Sequence, residues 1–268
     1  MATYPLRGKH VVITGASSGI GRGVALEAAK RGARVSLAAR SADALGDIVR
    51  EIVAAGGAAA AYPTDVSDET ACRRLVDRAI AAQGEIDVLI CNAGLGSATQ
   101  GNELIDLDVI RRLMDVNFLG AVYVTAAALE SLRTRRGLVV AVSSLQGLLS
   151  LPKSSAYSAS KHAMQGYFSS LRIDLRDSGV GVLIVSPGAV ATEIHRGQES
   201  RYASMTMDKV MKRSMPVATC ATLICDAIEE RRRDLVMTFG GKLMLRLRPF
   251  LPSFVDGMVT RSVHRLYE

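Results

Sequence analysis

The 268-residue chain has few aromatic residues, few cysteines and no tryptophan. Phe, Tyr and Trp together make up 4% of the chain, and no dense stripe of Lys and Arg is interleaved with them. This composition argues against a nucleic-acid-binding protein. The four cysteines form no CxxC pair and show no zinc-type spacing with histidine. We therefore expect no metal site, and free thiols in an intracellular protein.

Long apolar runs are also missing. No stretch reaches the roughly 18 consecutive apolar residues of a transmembrane helix. Residues 1–10 lack the apolar segment of a secretory signal. We therefore expect a cytoplasmic protein. Its 33 Lys and Arg against 26 Asp and Glu give a net charge of +7, which permits attraction to anionic ligands or membrane surfaces without naming a partner.

Short β-branched runs alternate with longer helical segments, which is typical of a parallel sheet covered by helices. The pattern predicts strands at residues 10–14, 34–39, 59–63, 88–91, 138–143, 180–186 and 234–239. It predicts helices at residues 20–31, 42–54, 68–83, 108–133, 155–177 and 218–231. We therefore predict an α/β fold, a Rossmann-type doubly wound sheet of about seven strands in a single domain over residues 1–239. In this domain, residues 193–216 would form a methionine-bearing flap. Residues 240–268 would form an amphipathic C-terminal extension of the same domain.

A glycine-rich turn, Thr14-Gly15-Ala16-Ser17-Ser18-Gly19-Ile20-Gly21, joins the first predicted strand to the first helix. Small residues let the backbone approach a pyrophosphate, and the start of a helix offers unpaired N–H groups to that anion. The GxxxGxG spacing differs from the GxGxxG of long-chain dehydrogenases. This position at the head of a βαβ unit predicts a dinucleotide site.

The second predicted strand ends in Leu37-Ala38-Ala39-Arg40-Ser41 and carries no carboxylate. A Rossmann protein that prefers NAD has an acidic residue here for the ribose 2′-hydroxyl. The guanidinium of Arg40 is instead suited to a 2′-phosphate, and Arg22 could add a second positive charge. The sequence therefore predicts NADP(H) as the cofactor.

Tyr157 and Lys161 are four residues apart and hence share one face of a predicted helix. A nearby cation favours the phenolate and brings the pKa of a phenol closer to neutral. Ser144 ends the preceding strand, thirteen residues before Tyr157, and its hydroxyl can hydrogen-bond a substrate oxygen. These three side chains predict acid–base chemistry at a carbonyl or alcohol.

These motifs follow one another in a fixed order: the glycine turn, Asn92-Ala93-Gly94, Asn117, Ser144, Tyr157 with Lys161, and Pro187-Gly188. In this order the chain resembles the short-chain dehydrogenase/reductase family over roughly residues 8–192. The resemblance implies a homodimer or homotetramer, formed through the helices predicted at 108–133 and 155–177. One departure is Cys91, where the family usually has a second asparagine; we expect a buried structural thiol there.

The resemblance also implies which residues bind the cofactor. Its pyrophosphate and adenosine side would contact Gly15, Ser17, Ser18, Gly19, Ile20 and Gly21. The 2′-phosphate, the adenine and the adenosine ribose would lie beside Arg40, Asp65 with Val66, and Asn92, Ala93 and Gly94. The nicotinamide end would lie beside Tyr157, Lys161, Pro187, Gly188, Val190 and Thr192.

By the same resemblance, Tyr157 would be the general acid in reduction and the base in oxidation. Ser144 would orient the carbonyl, with Leu145 next to it in the substrate site. Lys161 would bind the nicotinamide ribose and lower the pKa of Tyr157. Asn117 would hold, through a local helix distortion, a water that links Lys161 to solvent.

Substrate class is predicted from the residues that follow Ser144. Leu145, Leu148, Leu149, Leu151 and Pro152 would form an apolar wall, which suits an aliphatic or polycyclic carbonyl. Two alternatives remain. One is a 3-oxoacyl-thioester reductase, whose acidic carrier protein the positive charge would attract. The other is an NADPH-binding protein without turnover.

The segment after residue 239 alternates Leu, Phe and Met with Lys242, Arg246, Arg248, Arg261 and Arg265. Three roles are open for this extension. It could lie at an anionic membrane surface as a peripheral contact, form a dimer contact, or cap the protein's own apolar surface.

Overall fold

The computed structural model describes residues 4–96, 106–152, 154–192 and 214–267. Within them, the strands form one parallel sheet in the order β3-β2-β1-β4-β5-β6-β7. The strands are β1 His10–Thr14, β2 Arg34–Ala39, β3 Ala58–Pro63, β4 Val88–Cys91, β5 Leu138–Val142, β6 Gly181–Ser186 and β7 Asp234–Val236. The predicted α/β class and the seven-stranded parallel sheet are confirmed. The strand order reverses between β1 and β4, and a doubly wound sheet binds its ligand at the carboxyl ends beside such a point.

Helices cover both faces of the sheet. They are α1 Gly19–Lys30, α2 Ala42–Ala54, α3 Glu69–Gln83, α4 Leu107–Leu113, α5 Gly120–Arg135, α6 Ser155–Asp174, α7 Val217–Glu229, α8 Phe239–Leu247 and α9 Pro252–Tyr267. Successive strand side chains point to opposite faces. Val11 and Ile13 therefore enter one core with residues of α1, α2 and α7, while Val12 enters the other with residues of α3, α5 and α6.

Several predicted boundaries are shifted by one to three residues, and two of the differences have a local structural cause. The last strand ends at Val236 rather than at residue 239, because the Thr238 hydroxyl accepts a hydrogen bond from Gly241 N (3.2 Å) and caps α8. The helix predicted at 108–133 is interrupted by a π-helix at Met114–Leu119. Of the predicted flap, 193–213 lies outside the described residues.

The run Leu107–Arg135 is, among the described residues, the one helical stretch long and apolar enough to cross a membrane. Its inner face packs into the core: Val124, Ala128 and Leu132 are fully buried with residues of α3 and the sheet. This packing is that of a core helix in a folded domain, so its composition is no evidence for a span.

His10 at the start of β1 makes the stability of the fold depend on pH. Its side chain is fully buried, and its ring nitrogens lie 2.8 Å from Gly84 O and 2.8 Å from the Ser36 hydroxyl. Because a carbonyl only accepts, Nδ1 carries the proton and Nε2 accepts from Ser36. Burial lowers the pKa of His10 below its ordinary 6.5.

Below pH 6.5 the unfolded chain therefore binds a proton at His10 that the folded protein does not, and the free energy of unfolding falls as the pH falls. We expect the free energy of unfolding in urea to fall more steeply between pH 7.5 and 5.5 for the wild type than for His10→Gln, because unfolding of the wild type takes up additional proton at His10. Equal pH slopes for the two proteins would contradict this assignment.

Candidate active site

The glycine turn between β1 and α1 packs directly on the residues that follow β4. Gly15 has φ +65°, and a Cβ there would lie 2.7 Å from Ala93 Cα. A Cβ on Gly21 would lie 2.2 Å from Gly15 O and 2.5 Å from Asn92 Nδ2. Since these neighbours are mainly backbone, no larger residue fits at either position. The turn is therefore fixed by packing at the point where the strand order reverses.

The start of α1 is suited to an anion. Ser18 is the N-cap residue, but its side chain accepts no hydrogen bond from the helix, and the first turn has no acidic residue. The first N–H groups are thus left without a side-chain cap, with the positive end of the helix dipole behind them. Thr192 closes the other side of this turn, 3.1 Å from where a Gly19 Cβ would lie. These features fit the pyrophosphate of a dinucleotide.

Thr14 and Asn92 tie the ends of β1 and β4 together. The Thr14 hydroxyl accepts hydrogen bonds from Asn92 N (3.0 Å) and Ala93 N (3.1 Å). Asn92 Nδ2 donates back to Thr14 O (3.0 Å) and Gly15 O (3.1 Å). No role was predicted for the Thr14 side chain, although Thr14 is the first residue of the glycine motif. The two residues hold the crevice open beside the turn.

At the end of β2, Arg40 is exposed and forms no ion pair with the described residues. Hydrogen bonds from the Ser67 hydroxyl and N–H lower the pKa of Asp65, and the charges of Arg40 and Arg112 lower it further. Arg40 and Asp65 are therefore neighbours at the predicted adenosine end. The second cation suggested by the sequence, Arg22, is instead paired with Glu51 on α2.

Ser144, Tyr157 and Lys161 come together at the carboxyl end of β5. Tyr157 lies in the first turn of α6, and Lys161 lies one turn further on. Lys161 Nζ is 5.8 Å from the centre of the Tyr157 ring and donates to Val142 O (3.0 Å). Ser144 lies two residues after the end of β5, and its hydroxyl accepts from Gln146 N (3.1 Å), which holds it at the start of a short 3₁₀ turn.

The pKa values at this cluster differ from the sequence expectation. Burial raises the pKa of Tyr157, and hydrogen bonding with Ser144 offsets only part of the rise. Lys161 was expected to lower this pKa, but its ammonium is directed at Val142 O. Burial lowers the pKa of Lys161 itself to about 8. Tyr157 therefore keeps its proton at neutral pH, which suits a proton donor.

The predicted helix distortion at Asn117 is present as the π-helix Met114–Leu119. A π-helical segment turns a side chain out of the regular helical position and is frequent at functional sites. Asn117 is fully buried; its Oδ1 accepts from Leu95 N (2.7 Å), and its Nδ2 donates to Leu95 O and Ser160 Oγ (both 3.0 Å). A Cβ on Gly94 would lie 3.4 Å from Asn117 Oδ1 and 3.5 Å from Lys161 Nζ. Asn117 thus joins the loop after β4 to the helix of Tyr157 and Lys161.

The C-terminal extension contacts the loops that carry the site. Leu145 N donates to Pro187 O (2.8 Å), which joins the loops after β5 and β6. A Cβ added to Gly241 would lie 2.8 Å from Leu145 Cδ1. A Cβ added to Gly188 would lie 2.6 Å from Thr238 Cγ2. The segment that begins α8 therefore packs against both loops. The alternation of Leu and Arg residues in the extension did not predict this contact.

Further along, the extension covers the apolar residues after Ser144. Val255 and Val259 of α9 bury Leu149, and Arg248 donates to Leu148 O (2.6 Å). Of the three roles left open by the sequence, the cap over the protein's own apolar surface is therefore present on the inner face of the extension.

Two further features lie in this region. Val190 pairs with Met215, with Ala191 N donating to Met215 O (3.0 Å), so the chain on either side of residues 193–213 meets beside the site. Cys91 is buried beneath α5 beside Thr125, and burial raises the pKa of its thiol to about 12. The expected structural thiol is confirmed.

Comparison with known proteins agrees with this geometry. Residues 9–203 match the model of the family described as short chain dehydrogenase. The chain is 33% identical over 269 residues to dehydrogenase/reductase SDR family member 7B of Mus musculus, covering 96% of this chain and 82% of that protein. It is 36% identical over 262 residues to 11-beta-hydroxysteroid dehydrogenase 1A of Arabidopsis thaliana, covering 94% and 74%.

Among solved structures, a short chain dehydrogenase/reductase from Burkholderia phymatum in complex with NAD superposes with a TM-score of 0.83. It shares 29% identity, and the match covers 94% of this chain and 96% of that one. The motifs, the sheet order and these relatives agree, and the chain belongs to the short-chain dehydrogenase/reductase family of oxidoreductases.

Proposed function

We propose that this protein transfers a hydride between NADP(H) and the carbonyl or alcohol carbon of an apolar substrate. The observation that carries the proposal is the convergence of Ser144, Tyr157 and Lys161 beside an uncapped helix start at the carboxyl edge of the sheet. When bound, the nicotinamide supplies the hydride in reduction and accepts it in oxidation.

In the direction of reduction, the hydroxyls of Ser144 and Tyr157 bind the carbonyl oxygen as hydrogen-bond donors and polarise the C=O bond. As the carbon gains its new C–H bond, Tyr157 gives its proton to the oxygen, so an alcohol forms and a phenolate remains. Lys161, whose Nζ lies 5.8 Å from the ring centre, is positioned to return a proton to that phenolate. A water held beside Asn117 at the π-helix would then pass a proton from solvent to Lys161, which returns it to Tyr157.

The preference for NADP(H) is argued from this chain's own residues, since the relative from Burkholderia phymatum binds NAD. The end of β2 lacks a carboxylate. Such a carboxylate would accept a hydrogen bond from the ribose 2′-hydroxyl of NAD and would repel the 2′-phosphate of NADP. Arg40 stands there exposed and without an ion pair among the described residues. Its guanidinium is suited to a bidentate contact with phosphate oxygens.

Arg40→Ala is expected to raise the Kd for NADPH by about 10- to 100-fold, because charged hydrogen bonds to the 2′-phosphate are lost. The Kd for NADH is expected to change less than about threefold. Fluorescence titration with both nucleotides measures this ratio. Arg22→Ala is the matched control, because its guanidinium is already paired with Glu51. Equal losses for NADPH and NADH in Arg40→Ala would rule out the 2′-phosphate contact.

An apolar substrate is supported by the residues around Leu145. Leu145, Leu148 and Leu151 are half-buried and stay candidates for the predicted apolar wall. Leu149 is instead buried beneath Val255 and Val259 of the extension, so its place in that wall is corrected. The name of the Arabidopsis relative points to a polycyclic alcohol or ketone. We therefore expect NADPH oxidation with ketosteroids or other apolar ketones, and little with sugars or 3-oxoacyl thioesters. A clear preference for thioesters would replace this proposal by the acyl-carrier reductase.

We also propose a cytoplasmic homodimer or homotetramer that uses α5 and α6. The family resemblance suggests this contact, and Ile173 on α6, which is 70% exposed, is an apolar position at which a charge can test it. Light scattering with Ile173→Asp checks this assembly, since a charge at the contact is expected to shift the oligomer toward monomer. An unchanged mass would place the contact elsewhere.

A further inference from the structure

An apolar surface lies on the outer side of the C-terminal extension. The chain has five phenylalanines, and three of them are here: Phe239 is 83% exposed, Phe250 82% and Phe254 55%. Leu243 and Leu251 add to this outer face, which we define by these five residues. The other large exposed apolar side chains of the described residues lie apart from one another, on α2, α4 and α6. Five large exposed apolar side chains within residues 239–254 are a concentration that isolated surface residues do not reach, and such a concentration marks an interaction site.

The extension is two-sided. Phe239 and Leu243 are four residues apart on α8 and share one face. Leu251 N still bonds Leu247 O, so the helical path continues and Phe250, eleven residues after Phe239, returns to the same side. Val255 and Val259 of α9 are instead buried against Leu149. The inner side therefore serves the fold, and the fold does not require the outer face.

The charged residues beside the outer face indicate what kind of partner binds there. Lys242 and Arg246 are exposed and follow Phe239 by three and seven residues, so they flank the outer face on α8. Between residues 239 and 261 the chain has four basic residues and one acidic residue, Asp256. An apolar centre with a cationic margin is complementary to an anionic lipid surface. A two-fold contact between copies would set these cations against each other.

We propose that the outer face binds the surface of an anionic lipid bilayer, with the phenylalanines at headgroup depth and the cations on the lipid charges. The same helices pack on the loop after Ser144, so a bound protein would hold that loop near the membrane. This inference concerns a surface outside the catalytic cluster and does not depend on the proposed reaction.

The test is co-sedimentation of the full chain with vesicles of phosphatidylcholine alone or mixed with phosphatidylglycerol. The wild type is expected to bind the anionic vesicles at least about tenfold more tightly than the neutral ones, and to be released in roughly 0.5 M salt. Phe250→Ser with Phe254→Ser, and separately Lys242→Glu with Arg246→Glu, are each expected to lose at least about tenfold in partitioning.

The matched controls are Val53→Ser and Arg50→Glu, an exposed apolar residue and an exposed arginine on α2. Both are expected to bind like the wild type. Binding equal to wild type in the phenylalanine variant would overturn the proposal, as would wild-type protein that stays in the supernatant. If the wild type does not bind vesicles and the phenylalanine variant elutes from size exclusion as a smaller oligomer than the wild type, the outer face is instead a contact between copies of the chain. Turnover of a water-soluble ketone without vesicles is expected to be unchanged in these variants, which separates this result from any failure of the proposed reaction.

Discussion

Replacement of Tyr157 by Phe is expected to lower kcat by about 10²- to 10⁴-fold and to leave the Kd for NADPH within about twofold. The substitution removes one oxygen and keeps the ring. The raised pKa of Tyr157 means that this oxygen carries a proton at neutral pH, and without it nothing at this position can protonate the carbonyl oxygen. Single-turnover oxidation of bound NADPH, followed at the nicotinamide absorbance, measures the effect on the chemical step.

The matched control is Tyr167→Phe on the same helix. Tyr167 packs edge-on against Phe118 and Phe168, at ring-centre distances of 5.8 and 5.2 Å, and its role is that of packing. Removal of its hydroxyl is expected to change kcat less than about threefold. Comparable losses in the two variants would show that Tyr157 acts through the structure of α6 and not as the proton donor.

Gly21→Ala is expected to raise the Kd for NADPH by at least about 100-fold and to lower the thermal unfolding midpoint. The added Cβ would lie 2.2 Å from Gly15 O and 2.5 Å from Asn92 Nδ2. Because Gly15 O belongs to the backbone of the turn, the turn must move, and with it the N–H groups that would face the pyrophosphate. Titration calorimetry on protein shown to be folded by circular dichroism measures the binding loss.

Gly46→Ala on α2 serves as its control. The nearest atom to an added Cβ is the flexible end of Arg50, at 3.5 Å, and alanine is the better helix former. This variant is expected to stabilise the protein by about 0.5 to 1 kcal/mol and to bind NADPH normally. If Gly21→Ala binds NADPH as tightly as Gly46→Ala does, the glycine turn is not the pyrophosphate site.

The fold was predictable because its signals are local. Each buried strand is a short run such as His10–Thr14 or Leu138–Val142, and helices such as α2 and α3 bury apolar residues at helical spacing. The candidate site residues were then predicted from the order of the motifs along the chain. The π-helix at Asn117 was expected only through the family resemblance, because nothing in the periodicity of residues 108–133 marks an inserted residue.

Two features could not be read from the sequence, for physical reasons. The pKa of Tyr157 depends on burial by distant segments and on where the Lys161 ammonium points, and neither is contained in their four-residue spacing. The contact of α8 with Leu145 and of Thr238 with Gly188 joins residues about 50 to 100 positions apart, which a pattern within the extension does not encode. In both cases tertiary packing decides the property.

The central claim is that Tyr157, with its neighbours, supports direct hydride transfer from NADPH to the carbon of an apolar ketone. The most direct measurement uses NADPH carrying deuterium at both C4 positions, a ketosteroid, and mass spectrometry of the alcohol formed. We expect one deuterium on the carbinol carbon whichever face of the nicotinamide reacts, and at least about 10²-fold less labelled alcohol in the same time with Tyr157→Phe. Formation of an alcohol without deuterium would contradict direct hydride transfer. So would protein that binds NADPH but forms no product, neither from apolar ketones with NADPH nor from the matching alcohols with NADP.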